Sequence, residues 1–184
     1  MGDVTHSTRT TPRPYRSRLG TFDLRAFQAS TCESSARIVY GDIVQFDVNV
    51  ASANHRIVKS STMANAPAVL SSAFIGIAVE AEPANSSISS VSPSPYTILV
   101  CVANAQTEFI FPSKSVTASS LIGLRKQTAY DTTNSMFYCN VASTSGDSSN
   151  TLVITEVPNA GDTNGFVVAK FLSTAVARIV SPAF

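Results

Sequence analysis

Acid–base or nucleophilic chemistry needs a histidine, a thiol or a pair of carboxylates held at a fixed spacing, and this chain offers few of them. Its two histidines are His6 and His55. The first lies in a segment rich in Thr, Ser, Arg and Pro, and the second in the polar turn Ser52-Ala53-Asn54-His55. Neither has a partner at a spacing that builds a hydrolytic triad, and no G-x-S-x-G elbow occurs. Cys32, Cys101 and Cys139 are odd in number and widely spaced, with no CxxC pair. That pattern fits neither a disulfide framework nor a zinc site and reads as reduced, partly buried thiols. Glu80 and Glu82 are the closest alternate-residue acidic pair. On a strand they share a face, as glycosidase carboxylates do, but they precede Pro83 and read as a strand end running into solvent. No glycine-rich phosphate cradle is present. The expectation is a protein without catalytic residues, metal or cofactor.

The strongest positive feature is the N-terminus. Arg9, Arg13, Arg16 and Arg18 are interleaved with Pro12, Pro14 and Tyr15. Proline excludes helix and presets extended backbone, which lowers the ordering cost of binding. Arginine pairs with acidic surface, and tyrosine anchors in pockets. Residues 1–30 therefore read as an extended arm without a core of its own, binding along a neighbouring subunit, with a disordered, solubilising terminus as the alternative. Phosphate contacts to nucleic acid are the weaker reading, since one aromatic among four arginines gives little stacking.

The elements that must carry this arm are strands. Val44, Phe46, Val48 and Val50 alternate with Gln45, Asp47 and Asn49, the period of a strand with one buried face. Further strands are expected at Arg56–Lys59, Phe74–Val79, Tyr96–Ala103, Thr107–Phe111, Met136–Val141, Thr151–Val157, Gly165–Leu172 and Ala175–Val180. The unbroken apolar run Tyr96–Ala103 predicts a central strand buried on both faces. Gly76 and Ala78 leave room for a neighbouring backbone. One short helix is expected around Val116–Leu124. Strands recurring every 10 to 15 residues with Gly, Pro, Asn and Ser between them describe an all-β protein, a β-sandwich or β-barrel. Residues 31–112 and 113–184 read either as two β regions or as one continuous domain.

Composition agrees. The chain has 184 residues, enough for a substantial core without metal or disulfide staples. Charged residues make up 14% against about 25% in an average domain. The formal charge of +1 supplies no global field for nucleic acid or an anionic membrane. No apolar run approaches the roughly 20 residues of a membrane span, and no signal peptide is visible.

Two segments resemble the capsid decoration (cement) proteins of tailed bacteriophages, marine and cyanophage types in particular. One runs from Gly41-Asp42-Ile43-Val44 to Ile75-Gly76-Ile77-Ala78-Val79. The other combines Ala129-Tyr130-Asp131-Thr132-Thr133-Asn134, Leu152-Val153-Ile154 and Asp162 through Leu172. The resemblance implies a structural virion protein made in the host cytoplasm and placed on the outer capsid surface. It would bind the major capsid protein, and copies of itself as a trimer or other symmetric oligomer, with no small-molecule substrate. The arm would bridge neighbouring shell subunits, so that deleting residues 1–30 leaves a folded β domain that no longer binds capsid. The alternative is a receptor- or glycan-binding β module of a tail or head fibre.

Overall fold

The structure, a computed structural model, describes residues 11–29, 37–46, 57–59, 74–82, 96–144 and 150–176. Among them are eleven strands and one short 3-10 turn, Ser119–Leu121, where the helix was expected. The strands are β1 (Arg13–Ser17), β2 (Leu24–Gln28), β3 (Ile43–Phe46), β4 (Ile57–Lys59), β5 (Phe74–Ala78) and β6 (Thr97–Val102). The chain continues with β7 (Thr107–Pro112), β8 (Arg125–Asp131), β9 (Met136–Asn140), β10 (Leu152–Glu156) and β11 (Phe166–Phe171). They form two antiparallel sheets, of six strands in the order β1-β7-β11-β10-β8-β9 and of five in the order β2-β6-β5-β3-β4. The chain is all-β, as its alternation predicts.

Each sheet curls until distant strands meet. Ala29 at the end of β2 pairs with Ile57 of β4, and Ser113 after β7 pairs with Cys139 of β9. The middle of the five-stranded sheet is consequently buried on both faces, whereas Leu24, Arg25 and Ala26 of its outer strand β2 stay exposed. Val44, Ile75, Ala78, Ile98, Val100 and Val102 line a core inside its curl, together with Phe27 and Ile38. Ile43, Phe74, Ile77 and Cys101 face the other way, into a larger core shared with the six-stranded sheet. The apolar run of β6 is thus a central strand between β2 and β5, as expected.

Two glycines make this packing possible. A Cβ on Gly76 would lie 2.0 Å from the Cys101 carbonyl oxygen, so only glycine lets β5 and β6 approach so closely. The same strand carries a bulge against β3: Val44 pairs with Gly76 and Gln45 with Phe74, leaving Ile75 as the extra residue. Gly41 has φ +87°, and a Cβ there would meet Thr11 and Pro12. The Gly41-Asp42 turn is where the N-terminal segment lies down on the domain.

That segment is where expectation and structure part. Arg13–Ser17 pairs with β7 and Leu24–Gln28 with β6, so residues 13–28 are strands of both sheets rather than an arm. Since β6 and β7 follow one another, the segment runs beside them as a strap: Asp23 accepts from the Val102 N–H, and the Arg18 N–H donates to Gln106. β2 also supplies Phe27 to the inner core. β1 buries little apolar surface and is held by backbone pairing and ions, which leaves no hydrophobic period to read. β8 (Arg-Lys-Gln-Thr-Ala-Tyr-Asp) escapes a hydrophobic reading for the same reason. The expected strand at Ala175–Val180 reaches the structure only as the pairing of Val176 with Phe74. Its remainder lies outside the described residues, as do Val48 and Val50.

Two outcomes follow from this packing. Phe171 touches Phe74 across the sheets and Phe109 and Phe111 within its own, at ring separations of 5.5–5.8 Å. Phe171→Ala should cost about 3–5 kcal/mol by equilibrium denaturation; a loss under about 1 kcal/mol would remove it from its central place. Deletion of residues 1–30 takes away two strands and Phe27, so the truncated chain should bind a hydrophobic dye and lose its cooperative transition. A sharp native-like transition would show that the strap is dispensable.

Candidate functional site: the basic N-terminal strand

β1 is the outer strand of the six-stranded sheet, and it presents most of the residues singled out in the sequence. Arg13, Tyr15, Arg16 and Arg18 are exposed, and Pro14 is half-buried. Pro12 is buried against the Gly41 turn and holds the strand in place rather than meeting a partner. Arg9 and His6 lie outside the described residues, as do His55 and Cys32. Pro14 sits beside a bulge in the pairing with β7. It brings no N–H to the edge, which blunts the edge against addition of another strand.

The residue that organises this surface is Glu108 on β7, which the sequence reading passed over. Its side chain is buried, yet it is charged. Arg16 donates from Nε to Glu108 Oε2, and its Nη1 reaches Glu156 on β10 at 3.0 Å. Lys170 on β11 approaches the other Glu108 oxygen at 3.6 Å. Burial alone would push the Glu108 carboxyl up. The Arg16 hydrogen bond and the charges of Arg16 and Lys170 outweigh it and hold the group below its usual value. A glutamate among Thr107, Phe109 and Phe111 was the available signal, because a carboxylate in a buried strand demands a cation. Arg16 also lies 5.5 Å from the centroid of the Tyr15 ring. The result is a fixed pair, with Arg16 pinned from below and Tyr15 held out to solvent.

The remaining chemistry-bearing residues serve the fold. Burial pushes the Cys101 and Cys139 thiols up to about 12, so neither is a thiolate nucleophile near neutral pH. Glu80 accepts the Leu99 N–H at 3.2 Å, and Glu82 accepts the Ile38 N–H at 2.8 Å. Glu80 is exposed as expected, but Glu82 is buried: its carboxylate satisfies a backbone donor that would otherwise be orphaned. Lys59 meets Asp42 at 3.0 Å and lies 4.9 Å over the Tyr130 ring, tying one sheet to the other. Desolvation raises the Asp42 carboxyl, opposed by the Val39 N–H and by Lys59. Among the described residues, no group of three or more His, Cys, Asp or Glu could hold a metal ion.

Asp131 closes the β8–β9 turn. One oxygen accepts the Thr133 N–H at 3.0 Å, and the other meets Lys114 at 2.8 Å and the Asn134 amide. The turn ends on Ser135 in the left-handed region, φ 50°. No family model matches the chain, and no curated protein matches it.

Asp131 yields a pH signature. The hydrogen bond from Lys114 and those from Asn134, acting against burial, hold its carboxyl down at about 2, below the ordinary 3.8. A depressed carboxyl stabilises the fold above its unfolded value, and that contribution disappears as pH falls through its folded value. The stability difference between wild type and Asp131→Asn should be full above about pH 4 and should shrink towards pH 2. A difference that stays constant across that window in urea titrations would mean that the ion pair contributes nothing.

Proposed function

We propose that the chain is a non-enzymatic structural protein that binds the outer surface of a phage capsid and holds neighbouring shell subunits together, with β1 as its contact strand. One observation carries this reading: Tyr15, 44% exposed, is held against Arg16, and Arg16 is itself locked to the buried Glu108. Tyrosine and arginine are the side chains that most often dominate a protein interface. Holding them in place before binding removes much of the entropic cost of association. With Pro14 blunting the edge, recognition falls to side chains, so Tyr15 seeks a pocket and Arg13 seeks acidic surface. The same weak contact repeated over a symmetric shell sums to strong attachment. The phage context rests on the resemblance of the Gly41–Val79 and Ala129–Leu172 segments to decoration proteins. In the fold those segments supply the β3 and β5 strands and the β8–β9 turn with β10 and β11.

The test is co-sedimentation with shells stripped of this chain. Tyr15→Ala and Arg13→Glu should each weaken binding about tenfold or more while leaving the thermal transition in place. Quantitative mass spectrometry of the particles should find this chain near stoichiometric with the shell protein. Unchanged binding by both variants, or particles without the chain, would sink the reading.

A further inference from the structure

Beyond β1, and apart from Tyr40, the exposed large apolar side chains among the described residues fall in two stretches. The first is the turn joining β1 to β2, with Leu19 (72% exposed), Phe22 and Leu24. The second is the connection from β7 to β8, with Val116 (56% exposed), Ile122 and Leu124. A lone exposed leucine needs no explanation, whereas clusters of this kind mark interaction surfaces.

The first cluster lies beside the start of β7; the second begins past its end at Val116 and runs on to the β8 side, where the Ile154 N–H donates to the Leu124 carbonyl at 3.0 Å. The Arg18 N–H donates to Gln106 just before β7 begins, at 3.0 Å, and Ser113 holds Ser115 just after it ends. Six strand residues at about 3.3 Å each set the Leu19 end and the Val116 end roughly 20 Å apart. They cannot cover one another within a single chain.

Their charges match. Among the described residues, Asp162 has the one carboxylate without a hydrogen bond or ion pair. The others are Asp23, Asp42, Glu80, Glu82, Glu108, Asp131 and Glu156, and each has a partner. Asp162 borders the second cluster, where its carbonyl accepts the Thr117 N–H at 3.0 Å. Arg18, exposed and without an ion pair among the described residues, borders the first. Arg125 follows Leu124 and is also exposed. An incoming arginine therefore gains only where it reaches Asp162, which sets register more than affinity.

We infer that the two clusters are the two halves of one head-to-tail interface between copies of this chain. Leu19, Phe22 and Leu24 of one copy cover Val116, Ile122 and Leu124 of the next, with Arg18 placed against Asp162. Such a contact joins unlike surfaces, so every pair retains a free cluster at each end. Association then proceeds to a closed ring or an open chain.

The experiment is sedimentation of the full chain without shells, so its result is independent of capsid binding. Wild type should self-associate with rising concentration. Leu19→Asp and Ile122→Asp, both at exposed positions, should each remain monomeric with an unchanged circular dichroism spectrum. Mixed together they should form a dimer and stop there, because one intact pair of clusters survives between them. Arg18→Asp should weaken association, and Asp162→Arg in the same chain should restore it. A wild type that stays monomeric overturns the inference. So does an Ile122→Asp chain that still self-associates, or a mixture of the two variants that fails to dimerise.

Discussion

Phe171 is the point where the two sheets become one molecule. Its ring meets Phe74 of the five-stranded sheet and both Phe109 and Phe111 of the six-stranded sheet. Edge-on and tilted contacts of this kind each add about 0.5–1.5 kcal/mol to the area they bury. The larger core is assembled around that cluster, and its upper layer is the face of the five-stranded sheet bearing Ile43, Ile77 and Cys101. Because the opposite face of that sheet lines a second core, β5 has no solvent side. Gly76 follows from this geometry: with both faces filled, a Cβ at that position would have to displace backbone.

The N-terminal strap depends on a different force. β1 buries little hydrocarbon, and what holds it is the ladder to β7 and the buried charge of Glu108. A carboxylate taken out of water at the sheet edge requires a cation, and Arg16 supplies it from the strap while Lys170 supplies a second from β11. This arrangement converts a basic, proline-bearing sequence from a flexible tether into a fixed surface. It links the fold to the proposed function, since the strand that completes the sheet is also the one proposed as the contact strand.

Three further carboxylates among the described residues serve structure. Glu82 satisfies a backbone donor, Asp42 binds a lysine that reaches across to Tyr130, and Asp131 organises a turn. The two described thiols are sealed in the larger core.

The sequence by itself determined the all-β class, the places of β3 to β7 and β9 to β11, and the close approach at Gly76. These are local properties, written as alternation of apolar residues, unbroken apolar runs and glycine where a side chain cannot fit. Only the tertiary structure decided that residues 13–28 belong to the sheets, that Arg-Lys-Gln-Thr-Ala-Tyr-Asp is a strand, and that Pro12 is buried while Tyr15 is not. Those outcomes rest on backbone pairing with β6, β7 and β9 and on an ion pair between residues 92 positions apart. Such partners are distant in the chain and leave no period within it. The alternation of β7 could announce a strand, but only the folded sheet could bring Arg16 to Glu108.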